Sequence, residues 1–244
     1  MKYNYYSNLL NENERRIHFI GGGGKSTLIY RIAKSGIKSN KKVIITSLFP
    51  FLAPLDSTIV LIKDISAGRA DICKELDHNG MIYLGRGYEK THISGFTNAD
   101  IEKILSTVAC DHILVEYDSV EGRSLSDYKT VKFSVKSLPD RFINVIGSDA
   151  FNQVKSSSWL KTRDQYWAEN PVLSPIHIAA WIKKHPLILK IKANNIPMTT
   201  FINKVENIFI ENLSIPLAKN LKLMDMDRVF IGSVYNSYLF EVKQ

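Results

Sequence analysis

Three clusters in this 244-residue chain combine residue types and spacings that can do chemistry. The first runs Phe19-Ile20-Gly21-Gly22-Gly23-Gly24-Lys25-Ser26-Thr27, between an apolar run of strand length and a helical pattern. Consecutive glycines let backbone amides turn inward around an anion, and a helix N-terminus adds partial positive charge. Lys25 is placed to reach terminal phosphates, Ser26 to ligate Mg²⁺, and Thr27 to complete the set. The strict phosphate-loop pattern wants glycine where Phe19 stands, so the match is to a variant loop. Two other readings of the glycines are a turn with an incidental lysine and a dinucleotide fingerprint. The fingerprint is incomplete, because its third glycine would fall on Ser26.

The second cluster is His112-Ile-Leu-Val-Glu116-Tyr-Asp118. Four residues enter a sheet and two carboxylates follow, two apart and therefore on the same side of an extended chain. Glu116 and Asp118 form a candidate acidic pair for holding Mg²⁺ or polarising water; a solvent-exposed strand end is the plain alternative. The third cluster, Thr200-Phe-Ile-Asn203-Lys204-Val-Glu206, has the shape of the guanine-reading Asn-Lys-x-Asp, with Glu in place of Asp. The extra methylene leaves base recognition kept, relaxed or lost, and a surface turn is the competing reading.

The elements that must position these residues alternate. Strand-length apolar runs occur at Arg16 to Ile20, Lys42 to Thr46, Thr58 to Ile62, Met81 to Leu84, His112 to Glu116, Phe142 to Ile146, Met198 to Ile202 and Val229 to Ile231. Their Ile, Val and Leu content suits strands covered on both faces. Helical patterns run from Ser26 to Ala33 with a stop at Gly36, from Asn98 to Val108, from Ser174 to Lys184, and from Asn207 to Leu221 with an interruption near Pro216. The rhythm predicts an α/β fold of three layers, a mostly parallel sheet with helices on both faces. One domain over residues 1–244 is expected, with polar loop insertions around 119–140 and 151–172.

Composition bounds the rest. Apolar residues make up 45% and charged ones 23%, enough for a sizeable core, which argues against disordered and fibrous classes. No apolar run is long enough for a spanning helix and the first residues lack a secretory h-region, so no membrane partner and a cytoplasmic location are expected. Cys73 and Cys110 lack CxxC spacing, which argues for reduced thiols rather than a bridge or a zinc site. The net charge of +8 favours anionic partners. The basic residues are scattered, without the aromatic interleaving of a dedicated nucleic-acid surface, so no specific nucleic acid is expected.

Taken together and in this order, FIGGGGKSTL, VIITSLFP, ILVEYDSVEGRSL and FINKVE resemble the YqeC family, accessory proteins for selenium-dependent molybdenum hydroxylases within the phosphate-loop class of metallocentre-maturation GTPases. The resemblance runs from about Arg16 to Val234. Members read like VGAGGKTTL at the loop, LVEADG at the acidic strand and NKxD near the end. Here the threonine cluster after the second strand is Thr46-Ser47, the LVEADG glycine is Ser119, NKxD is NKxE, and an expected His-Arg pair is Thr162-Arg163. The resemblance implies a client protein, a molybdenum hydroxylase or its maturation factors, and a part in maturing or inserting its cofactor.

The residues by themselves support a Mg²⁺-dependent protein binding GTP or ATP, GTP slightly favoured, that hydrolyses it slowly. Lys25 would neutralise developing charge while Ser26 and Asp118 or Glu116 hold the metal. A non-catalytic nucleotide-binding adaptor, or chaperone for a cofactor or client enzyme, is the second reading. A small-molecule kinase, with His92 and Arg123 in loops where an acceptor site could form, is the third.

Overall fold

The computed structural model describes residues 6–120, 122–128, 131, 137–151, 174–223 and 226–243. In chain order it contains β1 (Arg16–Gly21), α1 (Lys25–Lys38), β2 (Val43–Ser47), β3 (Ile59–Leu61), α2 (Arg69–Asn79), β4 (Met81–Gly85), β5 (Tyr88–Glu89), β6 (His92–Ile93), α3 (Asn98–Thr107) and β7 (His112–Glu116). There follow β8 (Arg141–Gly147), α4 (Pro175–Lys184), α5 (Pro186–Ala193), β9 (Met198–Asn203), α6 (Ile208–Lys222), β10 (Arg228–Ser233) and β11 (Tyr238–Glu241).

Nine strands form one sheet in the order β11-β10-β9-β8-β1-β7-β2-β4-β3. The pairings are parallel except at the β11 edge, which runs antiparallel to β10. Successive residues of each strand point to opposite faces, and both faces are covered. Ile17 and Phe19 of β1 pack on the side of α1, with Leu28, Ile29 and Ile32 of that helix. Ile20 faces the other layer, where Ile72, Ile104, Ile182, Ile188 and Leu217 come from α2 to α6. This is the expected α/β architecture of three layers, a mostly parallel sheet with helices on both faces. β1, the strand leading into the glycine loop, lies between β8 and β7 near the middle of the sheet. Strand ends there, away from the edges, are where open α/β sheets place ligands.

Local rules account for several helix starts. Thr97 and Asp100 form a reciprocal capping box at α3. Ser174 accepts from the His177 amide and Pro175 takes the first position of α4, the start read from the sequence.

Two expected breaks are absent. α1 continues past Gly36 to Lys38, and a Cβ at Gly36 would stand 3.1 Å from Val43 Cγ2, so this glycine permits close helix-to-sheet packing rather than ending the helix. α6 continues through Pro216. The ring leaves the Asn212 carbonyl without its usual amide partner, yet Leu217, Ala218 and Leu221 hold the following turn in the core.

α2, α5, β5, β6 and β11 were not expected. α2 buries only Ile72 and Leu76, which leaves little periodicity to read. Of the described residues in the 119–140 insertion, Ser124, Leu125, Ser126 and Tyr128 are buried; residues 121, 129, 130 and 132–136 lie outside the described residues. The insertion around 151–172, apart from Phe151, lies outside the described residues, as does Thr162-Arg163.

Candidate functional site

The glycine loop leaves β1 and enters α1 as the sequence suggests. Gly24, the N-cap, has φ of 105°, a conformation that costs an L side chain heavily. Gly22 is required for a different reason: a Cβ there would lie 2.5 Å from the Arg123 carbonyl oxygen and Ser124 carbonyl carbon. The segment after β7 therefore presses directly on the loop.

Three of the glycine amides have partners within the protein. The Gly21 N–H donates to Asp118 Oδ2 at 2.9 Å. Those of Gly22 and Gly23 donate to the carbonyls of Val145 and Arg123, each at 2.8 Å. At the head of α1, from Gly24 to Thr27, no side chain among the described residues caps the helix, and the positive end of a helix dipole favours an anion. Thr27 is exposed on its first turn.

Lys25 is almost fully buried. Its Nζ donates to the Gly21 carbonyl at 2.7 Å and lies 2.9 Å from Asp118 Oδ1 and 3.6 Å from Glu116 Oε1. Ser26 Oγ donates to Glu116 Oε2 at 3.0 Å. The topology explains this meeting, since β7 lies between β1 and β2 and Glu116 is in register with Phe19 on one side and Ser47 on the other. Tyr117, between the carboxylates, turns into the core and stacks on His18.

The two acids differ. Both Asp118 oxygens are engaged, one with Lys25 and one with the Gly21 amide. Glu116 shares Ser26 and reaches the cleft, and burial pushes its carboxyl up in pKa against the opposing pull of Lys25. Ser26 and the carboxylates are hard oxygen donors and fit Mg²⁺, which commonly takes one or two carboxylates and completes its shell with water and substrate phosphates. Among the described residues no group of three or more His, Cys, Asp or Glu could hold a metal without such help.

The Asn203-Lys204-Val205-Glu206 segment lies at the end of β9. Asn203 Nδ2 donates to the Gly23 carbonyl at 2.7 Å and its Oδ1 accepts from the Val234 amide at 3.0 Å. Asn203 thus braces the loop. Lys204, at φ 64°, pairs with Asp149 at 2.6 Å, and Glu206 is exposed. None of the three lines the cleft of about 440 Å³ that contains Gly24, Lys25, Ser26, Glu116 and Asp118. That cleft opens the other way, toward Phe49, Leu52, His92 and Arg123. Its Phe49-to-Leu52 wall was not anticipated, although the motif SLFP after β2 was its only sequence signal.

Fold and site together define a phosphate-loop type of α/β protein. The protein-family profile described as "YqeC protein" matches residues 17–162, more than half of the chain, and the chain belongs to the YqeC family. The match includes the glycine loop and the acidic strand but ends before Asn203.

No curated protein matches the chain significantly. Among solved structures, FtsY from Mycoplasma mycoides is similar at 11% identity and a TM-score of 0.46, over 96% of this chain and 64% of that one, so the chain spans under two thirds of it. PAB0955, described as a GTPase in apo form from Pyrococcus abyssi, is similar at 14% identity and a TM-score of 0.45, over 93% of each chain. FlhF complexed with GTP/Mg(2+) gives 12% identity and a TM-score of 0.39, over 94% of this chain and 70% of that one. No described helix is long and apolar enough to cross a membrane.

Proposed function

We propose that the chain binds a nucleoside triphosphate with Mg²⁺ at the head of α1 and hydrolyses it slowly. The observation that carries this reading is the buried Lys25 ammonium at an uncapped helix N-terminus, beside the Ser26–Glu116 pair. In this reading Lys25 meets the terminal phosphates and Ser26 and Glu116 hold the metal or its water, while Asp118 positions Lys25 and the loop. GTP is favoured slightly over ATP, with Glu206 as the base-reading carboxylate and Asn203 and Lys204 as its support.

Membership of the YqeC family supports a further step, a role as accessory factor in maturing a molybdenum-cofactor hydroxylase, with that enzyme or its maturation factors as client. One observation favours a non-catalytic adaptor instead. Lys25 is already held by two carboxylates and a carbonyl, which leaves less of its charge to follow a developing one. Thermal-shift titration with GTP, ATP and their diphosphates, with and without Mg²⁺, tests binding, and phosphate release tests turnover. Binding without release, even with the client present, selects the adaptor; no shift with any nucleotide refutes both.

A further inference from the structure

At the opposite end of the strands from the phosphate site, a second cavity of about 250 Å³ lies between the carboxyl half of α1, the segment from Asn8 to Glu12 and the first residues of β2 and β7. His112 opens β7 and Glu116 closes it, so at roughly 3.3 Å per residue the two sites stand about 13 Å apart along one strand. Leu10, Ile32, Val43 and Leu114 give the cavity an apolar wall. Pockets for drug-sized molecules run roughly 300–1,000 Å³, so the occupant of this one is smaller.

The polar groups around that wall leave acceptors and negative charge to a ligand. His112, only 6% exposed, has its Nδ1 at 2.7 Å from the Glu14 carbonyl. A carbonyl only accepts, so Nδ1 carries the proton, and Nε2 of the neutral ring is left as an acceptor with no partner among the described residues. Asn11 Nδ2 donates to Glu14 Oε1 at 2.8 Å, which leaves its Oδ1 to accept. Asn8 can turn either end of its amide inward. The one cation among the described lining residues, Lys41, is held 3.3 Å from Asp111 Oδ1, whereas the exposed carboxylate of Glu12 has no ion-pair partner among them. The last turn of α1, ending at its cap Ser39, adds the partial negative charge of a helix carboxyl end.

We propose that this cavity binds a small primary amine as its ammonium ion, with the aliphatic body against Leu10, Ile32, Val43 and Leu114 and an N–H donated to His112 Nε2, the Glu12 carboxylate standing at the mouth. An ammonium has three donors and no acceptor, which suits a site whose free groups accept. A carboxylate of the same shape would meet Glu12 and the end of α1 with like charge. A neutral alcohol could still donate to His112 but would gain nothing from Glu12. The site uses none of the residues of the phosphate cleft and gives the protein a second ligand at the far ends of α1 and β7.

The test titrates cyclohexylammonium into the full chain without nucleotide, at about pH 8 where the amine is protonated. It follows the ring C–H resonances of His112, assigned through the backbone, with those of His92 in the phosphate cleft as internal reference. Cyclohexanol and cyclohexanecarboxylate, which have the same body, are the controls. Saturable shifts are expected at His112 and not at His92, with cyclohexanol weaker by about threefold or more and the carboxylate not binding. Glu12→Gln, at an exposed position that leaves the fold intact, should weaken the ammonium by about threefold or more and change cyclohexanol less than twofold. The proposal is overturned if His112 shows no saturable shift with the ammonium, if His92 shifts with the same affinity, if cyclohexanol or the carboxylate binds as tightly, or if Glu12→Gln leaves the ammonium affinity unchanged. With no nucleotide present, each of these outcomes is independent of the phosphate-site reading.

Discussion

Lys25 and Asp118 face each other at 2.9 Å with side chains only 2% and 0% exposed, so the loop's cation is satisfied from inside the protein. Removing one member of a buried pair leaves the other charge unpaired and costs about 3–5 kcal/mol. Lys25→Ala should therefore lose triphosphate binding and also melt lower. The double variant Lys25→Ala with Asp118→Asn should recover most of the melting temperature, since the amide still offers an oxygen to the Gly21 N–H, without recovering binding. Calorimetric melting and nucleotide titration on the same samples check both halves; restored binding in the double variant would refute the role of Lys25.

Ser26 and Glu116 form the second pair, 3.0 Å apart at the mouth of the cleft. Ser26→Ala should remove most of the difference in nucleotide affinity measured with Mg²⁺ and with EDTA, leaving the metal-free affinity nearly unchanged. An undiminished Mg²⁺ effect would place the metal on other groups. Since Ser26 is exposed, the substitution should scarcely change stability.

Much of this site was legible because its residues sit where local pattern changes. The apolar run from His112 ends at Glu116, and the glycines interrupt a strand before a lysine, so strand ends announced both halves. Their partners were not legible. Gly22 and Gly23 bond Val145 and Arg123, and Phe51 bonds Ile93, through backbone contacts between distant segments that leave no mark in side-chain type. For the same reason β5 and β6, two residues each, went unread, and of the far wall of the cleft only His92 and Arg123 were singled out, as loop residues. Asn203 was read as part of a base-binding motif; its bonds to the Gly23 carbonyl and the Val234 amide show a brace that the motif alone does not reveal.

His18 supplies a prediction about pH. It is fully buried in β1, stacked on Tyr117 at 4.1 Å and edge-on to Phe142 at 5.5 Å, and among the described residues neither ring nitrogen has a hydrogen-bond partner. Burial, helped by the nearby positive charge of Arg16, holds its pKa well below the usual value of 6.5. The unfolded chain thus takes up a proton that the folded one refuses. This contribution to stability is complete above about pH 6.5 and is lost as pH falls toward the folded value, by at most about 1.4 kcal/mol per pH unit. His18→Leu should flatten that part of the denaturation-versus-pH curve; an unchanged slope between pH 6.5 and 5 would assign it to other groups.

The last prediction separates Asn203 from Glu206, which the motif treats as one unit. Asn203 braces Gly23 and the turn at Val234, whereas Glu206 is exposed and has room to meet a base. A guanine offers two adjacent N–H donors to a carboxylate and adenine a mismatched edge, so only the base-reading group should distinguish them. Asn203→Ala should weaken GTP and ATP alike and lower the melting temperature, because a buried carbonyl and a buried amide lose their partner together. Glu206→Ala should leave ATP affinity and stability unchanged while removing the preference for GTP, an effect of about tenfold or less for one exposed charged contact. Glu206→Asp should preserve or sharpen that preference. Competition titrations of GTP against ATP on the three variants decide the matter: equal affinities in the unmutated protein, or a Glu206→Ala variant that loses both nucleotides equally, would exclude Glu206 as the base reader.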